Sequence, residues 1–225
     1  FNNLKFHTVQ TPEVKNHLIN TSNGLPSDWI RQLHIQKDTV WVATYSDGIV
    51  KMRFDSAMGK AEILKIYDKE DGLEDLLLKD LKSDAQGRPW YGTQTGRIGF
   101  IENNLVRDLG EVLDDNTAIN SLLFRGSTLY LGTAGNGVWF TDINGNMVLQ
   151  KLVGDKQLTS SNCNQLIFDS ENNLWVGSER GVDKVVLNQE NKIVDVFHFG
   201  RNDGFLGIET TLNAVDMDHK GNLWF

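Results

Sequence analysis

Eight residues near predicted strand ends carry side chains that suit recognition of a small molecule or an oligosaccharide. Aromatic rings stack on the apolar faces of sugars, while Asn, Asp and Arg side chains form directional hydrogen bonds to hydroxyl or carboxylate groups. The candidates are Trp29, Arg31, Tyr45, Asp47, Arg97, Asn120, Asn136 and Arg180. Trp29 is the most informative, because it is a large apolar residue in an otherwise polar segment. Its alternative role is to pack against a neighbouring part of the fold.

The common motifs of enzymes and metal sites are absent from the sequence. There is no Gly-rich phosphate loop, no His-Glu-x-x-His motif and no pair of cysteines at metal-ligand spacing. The single cysteine, Cys163, is expected to be a small, partly buried side chain. Acidic residues gather at 68–75 and 216–221, but their order departs from that of a calcium loop and favours turns between strands. We therefore predict no catalytic residue, no metal site and no cofactor.

Composition and charge exclude two further classes of function. The 225 residues are 40% hydrophobic and 23% charged, as in ordinary globular proteins, and the formal net charge is −8. A nucleic-acid surface needs a basic face, and none is visible, so no nucleic-acid partner is expected. No apolar stretch approaches the roughly 18 residues that span a bilayer, so no membrane insertion by this region is expected.

An internal repeat must position the candidate residues. One phrase, an aromatic residue between apolar residues and followed by Gly-Thr or a similar pair, recurs at a spacing of roughly 40–50 residues. Its aromatic anchors are Trp41, Trp90, Tyr130, Trp175 and Trp224. Several short strands in each period of this length are typical of the blades of a β-propeller. The anchors are expected to fill the space between blades.

Each repeat predicts four antiparallel strands. The first strands are predicted at 30–36, 78–83, 119–124, 165–168 and 212–217. Turns rich in Asp, Asn and Gly follow, such as Asp84–Gly87, Asp169–Asn172 and Asp218–Gly221, and join them to the anchor strands. Segments 4–9 and 14–19 read as the third and fourth strands of a blade, and 223–225 reads as a second strand. Because the sequence ends within that strand, it is expected to be a fragment.

The fold class predicted for residues 1–225 is therefore all-β, a β-propeller built from four-stranded antiparallel blades. Either about five blades close a ring, with the terminal strands sharing one blade, or the chain is part of a seven-bladed ring. In either arrangement, the loops that enter the first strand and those that join the second and third strands emerge on one face. The eight candidate residues lie at these loops, so we expect them to share that face.

Three segments carry a resemblance to a known family. Thr21-Ser-Asn-Gly-Leu-Pro-Ser-Asp-Trp-Ile30, the anchor phrase at 39–44 and the Asp…Leu-Trp-Val-Gly-Ser phrase at 169–178 resemble the two-component regulator propeller repeat. The third repeat departs from the pattern, because Arg125-Gly126 replaces the longer turn. The resemblance implies the sensor region of a Bacteroidetes-type hybrid histidine kinase. That region would be the periplasmic or extracellular part of an inner-membrane protein, and a homodimer would form through the parent protein.

The resemblance further implies a non-catalytic, ligand-sensing propeller that recognises a carbohydrate-derived ligand. Two alternatives stay open from the residues alone. A propeller lyase or hydrolase would need a metal or carboxylates at the ring centre. The predicted first strands offer instead the polar residues Gln32, Lys79, Asn120, Asn164 and Asn213. A protein-interaction scaffold would present an exposed apolar patch.

Overall fold

The computed structural model describes residues 4–10, 13–55, 60–205 and 210–225. Within these ranges the regular elements are strands and three single 3₁₀ turns, Thr21–Asn23, Lys69–Asp71 and Arg201–Asp203. The strands are β1 (Leu4–Gln10), β2 (Glu13–Ile19), β3 (Ile30–Gln36), β4 (Thr39–Thr44), β5 (Ile49–Asp55), β6 (Lys60–Tyr67), β7 (Leu78–Ser83), β8 (Pro89–Thr93), β9 (Arg97–Glu102), β10 (Leu105–Glu111), β11 (Ile119–Arg125), β12 (Thr128–Thr133), β13 (Val138–Asp142), β14 (Gln150–Lys151), β15 (Gln165–Phe168), β16 (Leu174–Ser178), β17 (Gly181–Leu187), β18 (Ile193–Phe199), β19 (Asp216–Met217) and β20 (Leu223–Trp224).

Consecutive strands pair into four complete sheets and two hairpins. The sheets β3–β6, β7–β10, β11–β14 and β15–β18 each hold four strands in sequence order, and β1–β2 and β19–β20 form two-stranded sheets. We name the complete sheets after the anchors on their second strands, as the Trp41, Trp90, Tyr130 and Trp175 blades. The predicted repeat of four short antiparallel strands is confirmed.

Two compact units divide the chain, and each has its own core. The first unit is Phe1–Thr93 with Arg97–Gly110, and the second is Gln94–Gly96 with Glu111–Phe225. In the first unit, Trp41 lies in one buried cluster with Leu78, Leu81 and Tyr91 of the Trp90 blade. An anchor on one blade is thus buried against the next blade, as the repeat predicts.

The second unit follows the same rule. Tyr130 is fully buried and lies in one cluster with Leu166, Leu174 and Val176 of the Trp175 blade. Cys163 belongs to the same cluster, and its burial raises the pKa of the thiol to about 12. The predicted role of Cys163 as a small buried side chain is confirmed. A nucleophilic thiolate at this position would need a lowered pKa instead.

The Asp that opens each longer turn holds the anchor six residues later. The indole N–H groups of Trp90, Trp175 and Trp224 donate to Asp84, Asp169 and Asp218 at 2.9, 2.8 and 3.2 Å respectively. Each carboxylate also accepts backbone N–H groups two and four residues ahead. At Asp218 such donors stabilise the ionised form. Hydrogen bonds from Asn222 come first among the groups that lower the pKa of Asp218 to about 2.

The last repeat is shorter than the sequence predicts. Residues 212–217 were expected to form one strand, but only Asp216–Met217 pairs, and its partner is Leu223–Trp224. A turn closed by the Ala214 N–H and the Thr211 carbonyl interrupts the extended backbone there, with Asn213 at φ 58°. Trp224 is 65% exposed, so the expectation that every anchor is buried between blades does not hold for it.

Candidate ligand-binding site

The same backbone irregularity occurs at the start of three first strands. Register shifts lie between Ile30 and Gln32 in β3, between Leu78 and Asp80 in β7, and between Ile119 and Ser121 in β11. The residues left between the paired positions are Arg31, Lys79 and Asn120. A β-bulge of this kind re-aims a side chain and is frequent beside functional sites. The fold therefore repeats the same β-bulge in three blades, each time at a polar residue.

Two aromatic residues lie beside the first bulge. The rings of Trp29 and Tyr45 have centroids 5.6 Å apart and planes inclined by 59°. The Tyr45 N–H donates to the Trp29 carbonyl at 2.8 Å, which ties the loop before β3 to the loop after β4. The Arg31 guanidinium carbon lies 4.3 Å from the Tyr45 ring centroid, in cation–π contact. The structure thus brings together three of the eight predicted residues.

Local hydrogen bonds fix the loop that presents Trp29. The Asp28 carboxylate accepts the Thr21 N–H at 2.7 Å and the Thr21 hydroxyl at 3.1 Å. The Trp29 N–H donates to the Ser27 hydroxyl oxygen at 3.2 Å. With its backbone held in this way, the Trp29 side chain is 61% exposed. Such exposure favours a surface role for Trp29 over packing in the core of its unit.

Lys79, at the second bulge, belongs to the same electrostatic environment as Arg31. The pKa of Lys79 is lowered first by burial and then by the positive charge of Arg31. The Arg31 Nε is buried, and no hydrogen-bond partner for it exists among the described residues. Two cationic side chains therefore share one region of the first unit. We call Trp29, Arg31, Tyr45 and Lys79 the Trp29 cluster.

Asp47 and Arg97, also in the first unit, have partners of their own. The Asp47 carboxylate accepts the Ser46 hydroxyl at 2.9 Å, in the same turn as Tyr45. Arg97 forms an ion pair with Asp108 at 2.7 Å. Asp108 also accepts the Tyr91 hydroxyl at 2.9 Å. These contacts join β8, β9 and β10 and stabilise the Trp90 blade. No described contact joins Arg97 to the Trp29 cluster, and its predicted part in binding stays a prediction.

The remaining candidates lie in the second unit, where each has a different environment. Asn120 occupies the third bulge and is only 5% exposed. The Asn136 side-chain oxygen accepts the Lys151 ammonium at 2.8 Å, and its carbonyl accepts the Trp139 indole N–H at 3.1 Å. Arg180 contacts Glu179 at 3.5 Å and is 65% exposed. Binding by these three residues stays a prediction.

A cavity of about 290 Å³ also lies in the second unit. Its walls include Val138 and Lys151 of the Tyr130 blade, Ile193 of the Trp175 blade, and several residues of the segment 152–161. That segment lacks strand periodicity, so the sequence offered no signal for the cavity. Lys151 lines this cavity and donates to Asn136, so the cavity is a second surface to consider for binding.

Lys79 is the member of the Trp29 cluster that was not predicted to contact ligand. A signal does exist, because Leu78-Lys79-Asp80 occupies the same place in its repeat as Ile30-Arg31-Gln32. The equivalence is counted from the start of the strand, because Arg31 stands ten residues before Trp41 and Lys79 eleven residues before Trp90.

Among the described residues no group of three or more His, Cys, Asp or Glu side chains is arranged to hold a metal ion. No helix in those residues is of sufficient length and apolarity to span a bilayer.

Several solved structures share this architecture. The extracellular domain of BT3049 from B. thetaiotaomicron, assigned as a hybrid two-component system, has a TM-score of 0.72 and 20% identity over 98% of this chain and 30% of its own. That of BT4673 from the same organism, assigned as a one-component system, has a TM-score of 0.67 and 16% identity over 99% of this chain and 29% of its own. The WD40 propeller of Doa1 has a TM-score of 0.56 and 13% identity, covering 85% of this chain and 58% of the other.

No protein-family model and no curated protein matches the chain. The chain spans less than a third of the length of the two B. thetaiotaomicron proteins. At these identities the similarity establishes the fold, and it agrees with the resemblance carried by the repeat. The predicted fold class is confirmed: the chain has the β-propeller fold, built from four-stranded antiparallel blades, of these extracellular domains.

Proposed function

We propose that this chain is a non-catalytic ligand-sensing propeller of a two-component regulator, and that its ligand is derived from a carbohydrate. The observation that carries the proposal is the exposed Trp29 ring beside Tyr45 and the bulged Arg31. An aromatic surface with an adjacent fixed guanidinium combines a stacking platform for a sugar ring with directional donors for its substituents.

The rest of the assignment is supported by the repeat and by the fold. The repeat resembles that of two-component regulators, and solved neighbours with this fold are extracellular domains of proteins assigned to one- and two-component systems. We therefore place the chain in the periplasmic or extracellular part of an inner-membrane protein that dimerises through the parent chain. Ligand binding to the propeller would change the geometry of that dimer.

Thermal unfolding of the full natural chain against a panel of oligosaccharides tests the proposal. A ligand that binds only the native state raises the melting temperature, and 100-fold excess over Kd adds about 2.7 kcal/mol of stability. We expect one class of oligosaccharide to raise it and the Trp29→Ala variant to lose the effect.

The matched control is Ile35→Ala. Ile35 lies on β3, four residues along the chain from Arg31, and is 63% exposed, close to the 61% of Trp29. This variant should keep the shift. Turnover of an oligosaccharide would support the lyase or hydrolase alternative. A protein partner that binds without any oligosaccharide effect would support the scaffold alternative.

A further inference from the structure

Arg31 differs in its ion pairing from three other arginines of the first unit. Arg53, Arg88 and Arg97 each contact a carboxylate, Glu62, Asp84 and Asp108 respectively, at 2.6–2.7 Å. Arg31 has no such ion pair among the described residues, and its buried Nε makes no hydrogen bond with them. A buried, charged donor without a partner is unfavourable. The positive charge of Arg31 is also not neutralised by a carboxylate of the described residues.

A second cationic side chain, Lys79, lies in the same electrostatic field as Arg31. Lys79, at the equivalent bulge of the next blade, is close enough for the Arg31 charge to lower its pKa, after burial. Asp80, the next residue, is fully buried, and its carboxylate accepts the Leu81 N–H at 2.8 Å. The like charges repel each other.

The Tyr45 ring contacts both Arg31 and Trp29. The Arg31 guanidinium carbon lies 4.3 Å from the Tyr45 ring centroid, in cation–π contact. A guanidinium is planar and suits bidentate contact with a carboxylate or a sulfate. The Trp29 ring centroid lies 5.6 Å from that of Tyr45, so Trp29 and Arg31 contact one common ring.

We infer that the Trp29 cluster recognises an acidic oligosaccharide, with a sugar ring stacked on Trp29 and its carboxylate or sulfate group bound by Arg31. The inference rests on the proposed function and narrows its ligand to one chemical class. A protein with a net charge of −8 repels anions over most of its surface, so this selectivity must come from a local cationic site.

Calorimetric titration of the full natural chain with matched sugars tests the inference. The probes are oligogalacturonates against neutral oligogalactosides of equal length and linkage, and sulfated against unsulfated forms of one further oligosaccharide. We expect at least one acidic member to bind about tenfold or more tightly than its neutral partner, with an advantage that shrinks as salt screens the charges. Preference for the carboxylated or the sulfated pair identifies which anion the site takes.

Three variants separate the parts of the site. Arg31→Gln should remove the preference for the acidic sugar but keep the weaker binding of the neutral one, and Arg31→Lys should restore part of the preference. Trp29→Ala should weaken both members of a pair. Arg53→Gln, at an exposed arginine already paired with Glu62, is the control and should leave both affinities unchanged.

The outcomes distinguish the inference from the proposed function. Equal affinity for acidic and neutral members, or a preference unaffected by Arg31→Gln in a folded variant, overturns the inference and leaves the sensing function in place. Absence of binding to every oligosaccharide, acidic and neutral, overturns both. Melting temperatures of all variants, measured without ligand, show whether each change acts through folding.

Discussion

The Trp41 blade and the Trp90 blade share one strand order but differ in the polar groups around their anchors. In the Trp90 blade, the Asp84 side chain has no exposed area and accepts the Trp90 indole N–H and the Arg88 guanidinium at 2.9 and 2.7 Å. In the Trp41 blade, Ile35 stands six residues before the anchor, and the buried Trp41 indole N–H has no described partner.

The turns explain this difference. Between β3 and β4 only Lys37 and Asp38 form the turn, with Lys37 at φ 57°, so there is no room for an Asp that reaches back to the anchor. The longer turn of the Trp90 blade begins with Asp84, whose carboxylate closes it. The Trp90 blade therefore uses Asp84 and Arg88 to stabilise this turn and its anchor.

The Trp41 blade instead leaves polar and aromatic groups available. Trp29 is exposed, and Arg31 has no ion pair among the described residues. Buried polar groups in native proteins are nearly always paired, so each exception calls for a reason. The comparison teaches that side chains paired with a carboxylate, such as Arg88, support the fold, and that a binding site should be sought at Arg31, which has no such pair among the described residues.

The largest effect is expected from Asp84→Ala. This change removes the acceptor of the Trp90 indole and of Arg88 in a side chain with no exposed area. Loss of one member of such a buried, charged network costs about 2–4 kcal/mol. Chemical denaturation should show that loss. Asp218→Ala removes the same turn in an exposed place, and a loss as large as that of Asp84→Ala would contradict the account.

Trp29→Ala should reduce binding but leave stability almost unchanged. The side chain is 61% exposed, and surface changes of this kind alter the free energy of unfolding by about 0.5 kcal/mol or less. Loss of the stacking platform should weaken ligand binding about tenfold or more. Denaturation and calorimetry on the same sample check both parts. A large loss of stability would show that Trp29 is a packing residue instead.

Replacement of the two anchors by Phe sharpens the comparison. Both Trp41→Phe and Trp90→Phe remove ring volume, but only Trp90→Phe also breaks an indole hydrogen bond and leaves a buried carboxylate with one fewer donor. We expect Trp90→Phe to be more destabilising by about 1 kcal/mol. Equal losses, measured by denaturation, would mean that the indole N–H of Trp41 has a partner in solution.

A small pH effect should come from His34 on β3. Its pKa is lowered by burial and by the positive charge of Lys82 on β7. Since the unfolded state then binds the proton more readily, stability should fall as pH decreases from about 6.5 through the lowered folded-state pKa. Stability curves of the natural chain and His34→Gln should diverge in that range. Parallel curves would exclude His34 as the source.

The repeat predicted most of the fold because its signals are local. Anchors such as Trp41 and Tyr130 and turns such as Asp84–Gly87 each depend on a few neighbouring residues, and all lie in their predicted elements. The region 212–217 was predicted less well, since the turn closed by Thr211 and Ala214 interrupts an apolar stretch that looks extended.

The site was predicted only in part, because its chemistry depends on pairing between strands. Trp29, Arg31 and Tyr45 were identified from residue type and position. The link to Lys79 depends on a register shift in two different blades, which periodicity does not reveal. The bond between Arg97 and Asp108 depends in the same way on the register of β9 and β10.

The most direct test of ligand recognition at the Trp29 cluster is an experimental structure of the full natural chain with the tightest-binding oligosaccharide. The account predicts a sugar ring against Trp29, with an acidic substituent within hydrogen-bond distance of the Arg31 guanidinium. A ligand seated instead in the cavity lined by Val138, Lys151 and Ile193, with Trp29 and Arg31 unoccupied, would contradict it.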